Sequence, residues 1–106
     1  ESVPFCIVLR GENAALPHGC SSKAEVRRGD AVIMDVGATC DGYFGDLTKT
    51  VFVGSASARQ REIYDIVLRA QEKAIESVRP GIRASEIDKA ARNIIREAGM
   101  KADNKM

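Results

Sequence analysis

Asp41-Gly42 stands between two runs of strand-forming residues, and no other dipeptide in the chain restricts the fold as strongly. Asp-Gly supplies positive φ at both central positions of a two-residue hairpin loop, a backbone that most side chains resist. Before it, residues 31–38 form an almost continuous apolar stretch of strand length, interrupted by Asp35. After it, residues 43–53 alternate through Leu47, Thr48, Thr50, Val51 and Phe52, types that favour the pleated surface of a sheet. An antiparallel two-stranded unit follows. Upstream, residues 3–9 contain Phe5, Ile7 and Val8 and are closed by Gly11 and Asn13, the pattern of a strand entering a loop. That loop is expected to run to about Gly29, with turns at Pro17-His18-Gly19 and Arg28-Gly29-Asp30.

Beyond Gly54 the apolar period changes from two to about 3.6. Ser57 and Gln60 make a capping box, and Ile63, Ile66, Val67, Ala70, Ala74 and Val78 follow at helical spacing until Arg79-Pro80-Gly81 ends the helix. A second helix is expected to open near Ser85, with Asp88 three residues on. It carries Ile87, Ala90, Ala91, Ile94, Ile95 and Ala98 on one face and closes at Gly99. These alanine-rich faces are read as core. Strands first and helices second make an α+β order.

Composition bounds the function classes. With 106 residues, 44% of them apolar, the chain is read as one domain, 1–106, large enough for a modest core. Sixteen basic against fifteen acidic side chains leave it at +1, with no basic stripe for nucleic acid or an anionic membrane. No apolar run approaches the roughly 20 residues of a membrane span, and the opening Glu-Ser-Val-Pro lacks the basic start of a signal peptide, so a cytoplasmic location is expected. Cys6, Cys20 and Cys40 have no metal-ligand spacing and are read as reduced thiols. A start at Glu1 and a polar end suggest a piece of a longer protein.

The chemistry concentrates in two aspartates. Asp35 lies inside Val32-Ile33-Met34-Asp35-Val36, where an ionised carboxylate is costly unless something compensates it. Asp46 lies eleven residues later on the outgoing strand. If the turn is centred between Cys40 and Asp41, the two are directly opposite, with Cβ atoms about 5 Å apart. If Asp41 and Gly42 are themselves the turn, they are diagonal neighbours at about 7–8 Å. Both registers put them on one face. Two like charges there imply a shared proton or a cation, and a divalent metal such as manganese is the simpler solution at neutral pH. The structural alternative is that the aspartates cap a turn or pair with Arg27, Arg28 or Lys49.

Gly11-Glu12-Asn13, Pro17-His18-Gly19, Gly29-Asp30, Met34-Asp35-Val36-Gly37-Ala38 and Gly42-Tyr43-Phe44-Gly45-Asp46-Leu47-Thr48-Lys49-Thr50 together resemble the creatinase, prolidase and aminopeptidase P group of metallopeptidases. Gln60-Arg61-Glu62-Ile63-Tyr64-Asp65-Ile66-Val67 and Arg79-Pro80-Gly81 are similar to the Xaa-Pro aminopeptidase and Xaa-Pro dipeptidase branch. The resemblance implies part of a pita-bread fold, and a parent enzyme that removes an N-terminal residue preceding proline. It makes Asp35 and Asp46 two carboxylate ligands of a centre of two divalent ions, manganese first and cobalt or zinc next, with Asp46 holding both. His18 is implied as the catalytic histidine that binds substrate without ligating metal.

The same resemblance implies a histidine and two glutamates that complete the ligand set beyond Gly99, so an isolated 106-residue chain is expected to bind metal weakly and be inactive. Lys49 stands where many relatives have arginine, keeping the charge without the planar fork. A homodimer is expected to cover surfaces that an incomplete domain leaves open. Rival readings are a non-catalytic peptide- or protein-binding module of the same fold, and a methionine aminopeptidase or creatinase type of enzyme. For His18 alone the rival is an ordinary solvated turn, and for Cys20 beside it a plain exposed thiol.

Overall fold

The elements follow in the expected order: β1 (Ser2–Arg10), β2 (Ala31–Cys40), β3 (Tyr43–Phe52), α1 (Ala58–Ser77) and α2 (Ala84–Glu97). The computed structural model describes residues 1–16 and 19–102, so the turn expected at Pro17-His18 lies outside the described residues. Two units are distinguished, Glu1–Ser57 and Ala58–Met106.

In the first unit, Asp41 at φ 50° and Gly42 at φ 83° are the two loop residues of the β2–β3 hairpin. Both angles are positive, as a type I′ turn requires, and their backbone twist matches that of the flanking strands. Pairing runs from Cys40–Tyr43 next to the turn to Ala31–Phe52. It continues one step further, with the Gly29 N–H donating to Val53 (2.7 Å) and the Val53 N–H to Asp30 (2.9 Å). β2 therefore reaches Cys40, two residues beyond its expected end, because the short loop needs no slack.

β1 pairs antiparallel with β2, giving one sheet in the order β1-β2-β3 where the sequence reading had a two-stranded unit and a separate strand. The partner of β1 lies across residues 11–30, and no local signal marks so distant a pairing. Residues 11–30 also contain a short 3₁₀ helix, Gly11–Ala15, that was not foreseen; Gly11 enters it at φ 53°. Leu9 and Val32 are the buried apolar residues of this unit among those described. They lie on opposite faces of the sheet, since Leu9 pairs with Ile33 and Val32 with Arg10.

In the second unit α1 packs on α2. Helix α1 begins directly after Ser57 and stops at Ser77, just before Arg79-Pro80-Gly81. Helix α2 begins at Ala84, so Ser85 lies inside its first turn instead of capping it. Arg83 holds the cap position with no side-chain bond to the helix. Asp88 instead accepts from Arg92 Nε at 2.7 Å, one turn on. The helix closes as expected, with Gly99 at φ 73° and the Met100 N–H bonded to Ile95. The apolar stripe is only partly core: Ile66 and Ala70 are buried, whereas Val67 and Val78 are exposed. No described residue of α2 is fully buried. A pair of helices can bury only the strip along which they touch, and the expected apolar faces are wider than that strip.

Candidate functional site

The hairpin register decides how the two aspartates meet. With Asp41 and Gly42 as the loop, Asp35 pairs with Thr48 and Asp46 pairs with Gly37. Directly paired residues point to the same side of a sheet, and so do residues two apart on one strand. Asp35, Gly37, Asp46 and Thr48 therefore share a face, with the carboxylates as diagonal neighbours. Extending the rows onto β1 adds Ile7 beside Asp35 and Phe5 beside Gly37. One row reads Ile7–Asp35–Thr48 and the next Phe5–Gly37–Asp46.

Asp35 is half-buried and Asp46 exposed, so the pair stands on a more open surface than the apolar run around Asp35 suggests. Thr48 Oγ1 donates to Asp35 Oδ1 at 2.7 Å. Among the described residues the Asp46 carboxylate has no hydrogen-bond or ion-pair partner. The charge partners that a structural reading offers do not reach either group. Lys49 pairs with Met34 and so lies on the opposite face. Arg27 and Arg28 form no ion pair among the described residues.

Gly37 explains why the corner beside Asp46 is filled by aromatic rings. A Cβ at this position would come within 2.3 Å of Phe5 Cε1 and 2.9 Å of Phe44 Cζ. The two rings, with centroids 6.3 Å apart and tilted by 41°, lean into the space that the missing side chain leaves. The carboxylate face thus has an apolar wall on the Asp46 side. Beyond Asp35 in the other direction, the next row is Leu9–Ile33–Thr50, and the loop packs on its Leu9 end: a Cβ on Gly19 would meet Leu9 Cδ1 at 2.9 Å and Leu16 Cβ at 3.3 Å. His18, next in sequence to Gly19, lies outside the described residues.

The loop is fixed at its base by a group that the sequence reading treated only as part of a turn. Asp30 accepts from Arg10 Nε (2.6 Å), from the second guanidinium nitrogen (3.3 Å) and from the Arg27 N–H (2.8 Å). The Arg10 hydrogen bond is the chief reason that the Asp30 carboxyl titrates below its ordinary range, and the Arg27 N–H adds to it. Its only trace in the sequence is an Arg ending one strand and an Asp opening the next. Thr48 was visible only as a β-former, and Gly37 only as a neighbour of Asp35.

Two carboxylates on one face, one of them unpartnered, are hard oxygen donors of the kind that divalent cations take. The donor set fits such an ion, although no group of three or more His, Cys, Asp or Glu gathers among the described residues. The three cysteines are exposed and form no disulfide among the described residues, and Cys40 Sγ donates to Glu1 Oε1 at 3.6 Å.

Comparison with known proteins agrees with this architecture. The Xaa-Pro dipeptidase of Pyrococcus horikoshii is 52% identical over 93 residues, which is 88% of this chain and 26% of that protein. The prolidase structure from Thermococcus sibiricus superposes with a TM-score of 0.90 at 44% identity, covering 93% of this chain and 27% of that one. The X-Pro aminopeptidase structure from Thermotoga maritima gives 0.88 at 42% identity, with 93% and 28% covered. The chain spans about a quarter of the length of the relatives it matches. The strands and helices are those of a pita-bread fold, and residues 1–105 match the family described as metallopeptidase family M24, to which this chain belongs.

Proposed function

We propose that the chain supplies the paired aspartates of an Xaa-Pro dipeptidase, in which Asp35 and Asp46 hold two divalent ions, manganese by preference. The observation that carries this is the diagonal placement of the two carboxylates on one sheet face, set by the Asp41-Gly42 loop. It is supported by relatives whose names are Xaa-Pro dipeptidase and prolidase. When bound, such ions polarise the scissile carbonyl and activate water. The chain's own residues do the rest. Asp35 and Asp46 concentrate negative charge at one spot, Thr48 fixes one oxygen of Asp35, and Phe5 with Phe44 form an apolar flank beside Asp46. His18 is proposed as the substrate contact. Gly19 beside it packs on the same sheet face, one row from Asp35. The substrate is a peptide with proline in second position.

The Thermotoga maritima aminopeptidase supports a second reading, in which longer Xaa-Pro peptides are taken. One experiment tests both. The gene product containing these residues is assayed with manganese on an Xaa-Pro dipeptide and on an Xaa-Pro tripeptide, alongside Asp46→Asn. The dipeptide is expected to turn over faster, and Asp46→Asn to lose more than the roughly 100-fold typical of groups that merely support ligands. Preference for the tripeptide would favour the aminopeptidase reading. Full activity of Asp46→Asn would remove the metal assignment.

A further inference from the structure

Thr48 is the only side chain among those described that bonds to either aspartate, and it was not picked out from the sequence as a site residue. From its place in the sheet we infer that Thr48 is the positioning residue of Asp35. It would fix which carboxylate oxygen is offered to a cation, and so set the affinity of the site. This rests on the metal-binding role proposed above.

The geometry leaves Asp35 few other supports. Its cross-strand neighbour on β1 is Ile7, which can neither donate nor accept. Its neighbour on β3 is Thr48, whose hydroxyl donates to Oδ1 at 2.7 Å. A hydroxyl has a single proton to give, so Oδ1 receives it and Oδ2 keeps both lone-pair directions for a cation. The terminal torsion of an aspartate is broad, and without a bond to one oxygen the carboxylate rotates freely about it. Thr48 is β-branched and stiff at χ1, which makes its own hydroxyl a fixed reference. The opposing strand thus holds the carboxylate in place before any ion arrives. Groups one shell out from a metal typically contribute 10–100-fold in affinity.

The test compares Thr48→Val, which keeps shape and strand preference but removes the donor, with Thr48→Ser, which restores it. Manganese binding to the gene product is measured by calorimetry, with Asp46→Asn and Asp35→Asn as references. Thr48→Val is expected to weaken manganese binding 10–100-fold, Thr48→Ser to stay within about threefold, and Thr48→Val to add nothing in an Asp35→Asn background. Thermal unfolding of the metal-free variants checks that Val at this position leaves the sheet intact, as its β preference implies. Wild-type affinity in Thr48→Val while Asp46→Asn loses the ion would overturn the inference alone. Equal weakness in Thr48→Ser and Thr48→Val would overturn it too. Wild-type affinity in both Thr48→Val and Asp46→Asn would overturn the metal site itself.

Discussion

Asp30 and Gly37 show how single residues around the site constrain it. The Asp30 carboxyl is held below its ordinary value of 3.8, chiefly by its hydrogen bond to Arg10. A carboxyl with a depressed native pKa stabilises the fold above its unfolded value, and that contribution disappears as pH falls through the native one. Stability of the wild-type chain is therefore expected to fall as the medium is acidified below about pH 4. Asp30→Asn should lower the melting temperature at pH 7 and flatten this acid limb, both readable by circular dichroism. A mutant whose acid limb is as steep as that of the wild type would assign the loss to other carboxyls. Gly37 is constrained by volume. Gly37→Ala would set a methyl within 2.3 Å of Phe5, so the rings must swing away. The expected destabilisation is about 1–3 kcal/mol, as in other overpacked sites, measured by denaturant titration.

At the scale of elements, the hairpin was legible and the sheet was not. Asp41-Gly42 announces its own turn because few other pairs accept two positive φ angles, and from the turn the shared face of Asp35 and Asp46 follows by alternation. Which of two registers holds depends on whether Asp41 and Gly42 are themselves the two loop residues, and the structure, with both at positive φ, selects the diagonal one. The pairing of β1 was hidden because its partner lies twenty residues away, and the bond from Thr48 to Asp35 because it depends on that register. The second helix was placed nearly correctly, yet Ser85 and Asp88 imitate a cap that the chain does not use. The turn can be probed directly. Gly42 sits at φ 83°, so Gly42→Ala is expected to cost about 1–2 kcal/mol in unfolding experiments, with Asp41→Asn near neutral because Asn tolerates the same angles.

For the molecule as a whole, the proposed chemistry needs more ligands than the described residues bring together. Two carboxylates leave most positions around a divalent ion to water, which fixes it poorly. The 106-residue chain on its own is therefore expected to show no steady turnover of an Xaa-Pro dipeptide, even with millimolar manganese. Turnover abolished by Asp46→Ala would show instead that this pair suffices.

The clasp between Arg10 and Asp30 closes the long connection from β1 to β2 at its foot, where the guanidinium and carboxylate meet through two nitrogen–oxygen contacts. The alignment of β2 on β3, and with it the aspartate pair, is set by the hairpin at the other end, whereas the segment above this clasp packs Gly19 against Leu9 and bonds Ser21 Oγ to the Val8 carbonyl. Doubling the length of a closed loop costs only about 0.6 kcal/mol in chain entropy. The scaffold thus separates two kinds of heritable change. The aspartates are tied to a turn whose two-residue length sets their register, while a change of length in the neighbouring loop costs little chain entropy and acts instead through the proposed substrate contact at His18 and the cover over Leu9.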